Sequence, residues 1–119
     1  MNKINVNGLS PFAAADNELR KAAEAFETGN HGKARVCARR AVGYVAEFYL
    51  QTHRELLPLY GRSFMNNLRG IAADENVPDE VRSCAEKLIV HPEFDEIKGD
   101  EAINLANKII AYFKGKISS

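Results

Sequence analysis

Apolar residues recur every three or four positions along most of this chain, which is the spacing of one face of an α-helix. Strict alternation of apolar and polar residues, which marks a half-buried strand, does not persist over a useful length. Helix start and stop signals divide the pattern into five segments. The sequence therefore predicts an all-α protein, an up-and-down bundle of four to five helices.

The first two predicted helices form a hairpin. The first begins at the Ser10-Pro11 dipeptide, where serine can cap the helix and proline suits the first helical position. Gly29-Asn30 ends it and caps the second, which is predicted from about His31 to Leu57 because Pro58 follows. The buried positions predicted for these two helices are Phe12, Ala15, Leu19, Ala22 and Phe26, and then Ala34, Cys37, Ala38, Ala41, Val45, Phe48 and Thr52.

Three more helices follow in the second half of the chain. Ser63 can cap the third, and Asn76 can cap the fourth, whose first turn carries the acids Asp79 and Glu80. The stretch "HPEFDEIKG" is predicted to be a loop, and the last helix opens with Asp100–Glu101. The buried positions predicted for these helices are Phe64, Leu68 and Ile71, then Val81, Cys84, Ala85 and Leu88, and then Ile103, Ala106, Ile110, Phe113 and Ile117.

Length and charge narrow the class of protein. With 119 residues the chain is expected to form one domain over residues 1–119. The 16 basic residues balance the 16 acidic ones, so no overall field attracts nucleic acid or a membrane surface. No apolar run is long enough to span a membrane. Cys37 and Cys84 lack paired spacing, so we expect two buried, reduced thiols and a cytoplasmic location.

Several chemical motifs can be tested against these residues. The stretch "GNHGK" differs from a phosphate loop because Ala34, rather than a hydroxyl residue, follows Lys33 and because a helix precedes it. Three histidines, His31, His53 and His91, stand singly without a second ligand at helical spacing, which favours surface or capping roles. We therefore assign no metal and no cofactor.

Charged residues cluster in two parts of the chain. The basic group is a possible contact for RNA or for an acidic partner, although helical spacing divides it into two half-patches. The segment from Asp74 to Glu101 is strongly acidic and could repel nucleic acid or dock a basic partner; a solvated face is the alternative. The basic group consists of Lys33, Arg35, Arg39 and Arg40.

The passage "AFETGNHGKARVCARRAVGYVAEFYL", from Ala25 to Leu50, resembles the helical hairpin of HEPN-domain proteins, in which a glycine-containing turn precedes an alanine-rich helix. The closing "DEAINLANKIIAYFKGKI" is similar to the last helix of that family, and the middle, from about Leu59 to Lys98, matches in the order of its elements. The resemblance implies a dimeric helical bundle. It also implies either RNase activity or pairing with a small nucleotidyltransferase in a toxin–antitoxin system.

HEPN RNases use an arginine followed, after four to six residues, by a histidine, and the pair acts on the scissile phosphate and the ribose hydroxyl. This sequence lacks a pair with that spacing. Arg82 and His91 come nearest, but eight residues separate them and Pro92 follows the histidine. The resemblance therefore implies a fold and a partner, and it carries over no catalytic residues.

A second apolar pattern on the second helix predicts association. Val36, Gly43, Leu50 and Leu57 recur every seven residues on the side away from the predicted core, and we call them the heptad seam. Such a repeat keeps one side facing a partner helix; the alternative is that the third or last helix of the same chain covers it. The charged residues expected to flank the seam in a homodimer are Arg39, Arg40 and Glu47.

The leading hypothesis from the sequence is a non-catalytic, HEPN-like interaction protein. It would form a homodimer and bind a protein partner, such as a nucleotidyltransferase, or bind RNA without cleaving it. The alternative is a divergent HEPN RNase or nucleotide-binding enzyme that uses Arg82 with His91 or a site shared between subunits. A third possibility is an isolated RNA-binding module.

Overall fold

The computed structural model describes residues 10–90 and 97–118, and within these ranges the chain is helical with no strand. The all-α prediction is confirmed. The described ranges contain six α-helices rather than four or five because one short helix, α3, was not predicted. The helices are α1 (Pro11–Glu27), α2 (His31–Gln51), α3 (Leu57–Tyr60), α4 (Phe64–Ala73), α5 (Asp79–Leu88) and α6 (Gly99–Ser118), with a 3-10 turn at Arg54–Leu56.

The hairpin of α1 and α2 forms as the sequence predicts. The Ser10 hydroxyl accepts a hydrogen bond from the Ala13 amide at 3.1 Å, and Pro11 occupies the first helical position. At the turn Gly29 has a φ of 82°, which a residue with a side chain rarely adopts. The Asn30 side chain then accepts from the Lys33 amide at 3.0 Å and caps α2.

Helix α2 is enclosed by its neighbours, since α1, α4 and α6 all pack against it. The contact with α1 is lined by alanines with no exposed surface, among them Ala15 and Ala22 on α1 and Ala34 and Ala38 on α2. Small side chains let two helix axes approach closely. On the other side of the bundle α5 packs between α4 and α6. Helix α2 is therefore the element around which the bundle is built.

The predicted end of α2 is wrong, because the helix stops at Gln51, six residues early. Thr52 and His53 both bond the carbonyl of Tyr49, through the threonine hydroxyl at 3.3 Å and through histidine Nδ1 at 3.0 Å. These bonds satisfy a carbonyl that the next helical turn would otherwise use. Thr52, predicted to be buried, is exposed, and Pro58 lies in the first turn of α3 instead of ending α2.

The starts of α4 and α5 differ in how well they were predicted. Ser63 caps α4 by accepting from the Asn66 amide at 3.0 Å, as predicted. Asn76 does not cap α5, which begins at Asp79 after Pro78. The Asn76 amide instead donates to Asp74 Oδ1 at 3.0 Å and tightens the loop before the helix. All four positions predicted to be buried in α5 are buried: Val81, Cys84, Ala85 and Leu88.

Helix α6 closes the core with large apolar residues. Three predicted core residues, Ala106, Ile110 and Phe113, are buried, whereas Ile103 and Ile117 are half-buried. None of the helices in the described ranges is both long enough and apolar enough to cross a membrane. Most of the loop predicted at "HPEFDEIKG", residues 91–96, lies outside the described residues.

We expect Ala41→Leu to destabilise the fold by about 1–3 kcal/mol, because Ala41 has no exposed surface and the added atoms must displace close neighbours. Urea denaturation measures the change. The matched control is Ala23→Leu on the exposed side of α1, which should leave the denaturation midpoint nearly unchanged. Equal midpoints for Ala41→Leu and the unmutated protein would show that the α1–α2 contact has room for larger side chains.

Replacing glycine by alanine should have opposite effects at two helical positions. A Cβ at Gly70 in α4 would lie 2.6 Å from Tyr60 Cα and 2.7 Å from the Leu59 carbonyl oxygen, so Gly70→Ala should destabilise by about 1–3 kcal/mol. A Cβ at Gly115 in α6 meets nothing within 4 Å, so Gly115→Ala should stabilise by about 0.5–1 kcal/mol through helix propensity. Thermal unfolding of both variants checks the signs, and a gain at Gly70 would contradict the close approach.

Candidate functional site

The heptad seam is not a continuous exposed surface. Val36 has 47% of its surface exposed, whereas Leu50 is buried and Leu57 is half-buried against the core of the same chain. Gly43 is buried as well, because the ring of Phe64 at the start of α4 fills the space beside it; a Cβ there would lie 2.7 Å from Phe64 Cγ. The alternative reading, in which the same chain covers this side of α2, therefore holds at Gly43 and Leu50.

Helix α4 covers the seam because Gly43 has no side chain. Phe64 packs against α2 at this point and also lies near Tyr44, with ring centroids 5.9 Å apart. A seven-residue repeat in the sequence does not distinguish a helix of another subunit from a later helix of the same chain. As a consequence, a charged residue at Gly43 would disrupt folding and would not report on subunit pairing.

Two of the four predicted basic contact residues are tied to the backbone of their own chain. Arg39, which is buried, donates from Nε to the Leu88 carbonyl at 2.7 Å, at the last residue of α5. Arg35 donates from Nη1 to the Ile97 carbonyl at 2.8 Å, just before α6. The position of Arg39 is favourable, because carbonyls at a helix C-terminus such as that of α5 carry partial negative charge. Lys33 and Arg40 are the two of the four that remain exposed.

Arg40 lies beside a buried carboxylate. Glu18 on α1 is buried, and its Oε2 is 3.8 Å from Arg40 Nη2 and 3.9 Å from Lys21 Nζ. Both cations are about half exposed, so each pair contributes little to stability by itself. Burial raises the pKa of the neighbouring Cys37 thiol, and the charge of Glu18 raises it further. The thiol is therefore held in its protonated, unreactive form.

Arg82, the arginine of the alternative catalytic pair, joins α4 to α5. Its Nε donates to the Ala72 carbonyl at 3.2 Å, and its Nη1 lies 3.3 Å from Asp79 Oδ1. His91 lies outside the described residues. Arg82 thus has a structural role in connecting two helices, and the catalytic use of the pair stays untested.

The exposed side of α2 follows a different period from the heptad seam. Its positions are spaced by three or four residues, as one face of a straight helix requires, and all but the half-buried Tyr44 are exposed. Basic residues lie in its N-terminal half and the acid Glu47 lies in its C-terminal half. We call this surface the outer stripe, and it consists of Lys33, Val36, Arg40, Tyr44, Glu47 and Gln51.

A cleft of about 200 Å³ adjoins the C-terminal end of the outer stripe. Leu50 and Leu57 supply its apolar lining, and the exposed residues Arg54 and Arg62 add two positive charges. These two arginines were not among the predicted site residues, because the sequence pattern places Arg54 in a helix and Arg62 in a loop, each without a predicted partner. Arg54 and Arg62 lie on either side of the apolar stretch Leu56-Leu57-Pro58, and this arrangement is the feature of the sequence that could have indicated the cleft.

No protein-family model, no curated protein and no solved structure matches this chain. The fold and the surface define the class of the protein as an all-α helical bundle in which one enclosed helix presents a single mixed-charge stripe. Within the described ranges, no three histidine, cysteine or acidic side chains are grouped so that they could hold a metal ion.

We expect both cysteines of the native protein to react slowly with a thiol reagent at neutral pH, because both are free and buried. The rate at Cys37 should rise only when the pH exceeds the ordinary thiol range, since burial and Glu18 disfavour its thiolate. The same protein in urea is the control and should label fully at both positions. Rapid, stoichiometric labelling of either cysteine without denaturant would contradict the packing of α1 on α2 or of α5 on the core.

Proposed function

We propose that this protein is a non-catalytic, HEPN-like interaction protein that forms a homodimer and binds a protein partner. The observation that carries the proposal is the outer stripe of α2, where the exposed Val36 lies between two basic residues and the half-buried Tyr44 lies between Arg40 and Glu47. Exposed apolar residues with complementary charges around them are typical of interaction surfaces. The resemblance of the α1–α2 hairpin and of α6 to HEPN helices adds the expectation of a dimer.

The distribution of charge on the outer stripe complements a second copy of itself. If two α2 helices pair antiparallel about a two-fold axis between Gly43 and Tyr44, Arg40 faces Glu47 of the partner subunit, and the symmetric pair forms as well. Val36 then faces Gln51 of the partner subunit. Both side chains are exposed, but that of Arg40 also lies 3.8 Å from the buried Glu18, so Arg40 would be shared between Glu18 and Glu47 of the partner subunit. Two copies of one ion pair fix both the orientation and the register of the subunits.

The form of the cleft favours a protein partner over RNA. Leu57 offers apolar area, and Arg54 and Arg62, which outnumber the one acid of the lining, Glu47, would attract an acidic segment. The basic group that could have tracked a phosphate backbone is divided, since Arg35 and Arg39 bond carbonyls of the bundle. A surface with two exposed cations of that group offers few phosphate contacts, and nucleic-acid affinity depends on their number.

Substitutions on the outer stripe test the homodimer. By light scattering the unmutated protein at micromolar concentration should have twice the 13.2 kDa mass of the chain. Glu47→Arg puts two arginines opposite each other at both symmetric positions and should weaken the dimer by about tenfold or more, whereas Glu47→Asp keeps both ion pairs and should leave the dimer largely intact. Val36→Glu should also weaken the dimer, because it replaces an apolar contact by a charge that must lose water opposite the uncharged Gln51 of the partner subunit.

Ala111→Glu, at an exposed position of α6, is the matched control and should leave the dimer intact. Circular dichroism of every variant verifies that the bundle is folded. A monomeric unmutated protein would overturn the homodimer. A dimer that resists both Val36→Glu and Glu47→Arg would place the interface away from the outer stripe.

A further inference from the structure

A second pocket lies at the end of the bundle where α2 stops, apart from the outer stripe. It has a volume of about 350 Å³ and is enclosed by the end of α2, the segment through α3, the loop after α4 and the last turns of α6. Ligand pockets commonly begin at about 300 Å³. Three of the four tyrosines in the sequence line this pocket: Tyr49, Tyr60 and Tyr112.

The walls of this tyrosine pocket are aromatic and are held in place by packing. His53 stacks on Tyr49 with centroids 3.9 Å apart and planes 12° from parallel. Phe113 meets Tyr49 edge-on at 5.0 Å, and Tyr112 meets Phe113 edge-on at 5.1 Å. The His53 ring is also fixed by the contact of its Nδ1 with the Tyr49 carbonyl, an acceptor, so Nδ1 carries the proton. These four rings and that of Tyr60 thus line one space.

A buried carboxylate adds negative charge to the pocket. Asp74 has 5% of its surface exposed and lines the pocket. Its Oδ2 accepts from the Tyr60 hydroxyl at 2.8 Å, and its Oδ1 accepts from the Asn76 amide at 3.0 Å. Both bonds come from neutral donors, and none of the ion pairs found in the described ranges involves Asp74. The carboxylate is therefore oriented by hydrogen bonds without being neutralised by them.

The charge of Asp74 affects the pKa values of the three tyrosines that line the pocket. Burial raises the pKa of Tyr60, and the hydrogen bond and charge of Asp74 raise it further. Burial also raises the pKa values of Tyr49 and Tyr112, and the Asp74 charge adds to both. The two exposed charged residues that line the pocket, Glu55 and Lys116, have opposite signs. With Asp74 the lining of the pocket therefore carries two acidic residues and one basic residue, and the buried one of the three is an acid.

We propose that the tyrosine pocket binds a small organic cation of the methylated ammonium class. The negative faces of aromatic rings attract such a cation, and its methyl groups replace water against the rings at little cost. An inorganic divalent ion would need six or more oxygen ligands or retained waters, whereas each Asp74 oxygen already accepts one hydrogen bond. An anionic ligand would meet the carboxylate. The aromatic walls and the single buried carboxylate together favour a weakly hydrated monovalent organic cation over a metal ion or an anion.

Titration with choline chloride and with tetramethylammonium chloride tests the proposal. The chain has no tryptophan, so tyrosine emission reports mainly on this pocket. We expect a saturable change in tyrosine fluorescence at millimolar or lower concentration, with sodium chloride at equal ionic strength giving none. The uncharged isostere of choline, in which carbon replaces nitrogen, should bind at least about tenfold more weakly, because it lacks the charge that the rings and Asp74 attract.

Three variants locate the binding. Asp74→Asn keeps an oxygen acceptor for the Tyr60 hydroxyl and should weaken choline binding about tenfold. Tyr112→Leu removes one aromatic wall from a half-buried position and should weaken it similarly, which keeps the test decisive if Asp74→Asn does not fold. Phe26→Leu, at a half-buried position near the end of α1 and outside the lining of the pocket, is the matched control and should bind as the unmutated protein does. Equal binding of choline and its uncharged isostere, absence of saturable binding, or unchanged affinity in Tyr112→Leu would each overturn the proposal.

Discussion

The close contact of α1 with α2 is the constraint on which the rest of the structure depends. Alanines without exposed surface line both sides of it, among them Ala15 and Ala22 on α1 and Ala34 and Ala38 on α2, and larger side chains at such positions must displace close-packed neighbours. Because α6 and α4 cover two further sides, α2 has one face left for solvent. That face is the outer stripe, so the packing of the core determines which side chains of α2 can meet another molecule.

Local signals in the sequence were sufficient to predict those features of a helix that its own residues determine, namely its caps and its buried face. The caps at Ser10, Asn30 and Ser63 and the buried face of α5 were predicted correctly, since capping and helical periodicity operate within a few residues. The end of α2 was predicted wrongly because that prediction relied on one local signal, Pro58. Proline is a strong local signal, but the competing bonds of Thr52 and His53 to the Tyr49 carbonyl act earlier in the chain.

The candidate site was harder to predict, because it depends on contacts between distant residues. A seven-residue repeat placed Gly43 at a subunit interface, whereas the missing side chain accommodates Phe64 from twenty-one positions later. Arg39 was assigned to an exposed patch, but its aliphatic stem is buried and its guanidinium bonds the end of α5. The sequence shows that residue 39 is an arginine, but it does not show which backbone carbonyl the guanidinium will bond in the folded chain.

The cleft and the tyrosine pocket share one wall, the segment from Arg54 to Tyr60. Leu57 of this segment lines the cleft, and Leu56 beside it lines the pocket. The segment is held against α4 by Asn67, whose side-chain amide donates to the Tyr60 carbonyl at 2.9 Å, and by the missing side chain of Gly70. Because a short helix of four residues has little stability by itself, its position depends on these contacts with α4. The geometry of both surfaces is therefore set by how closely α4 approaches this segment.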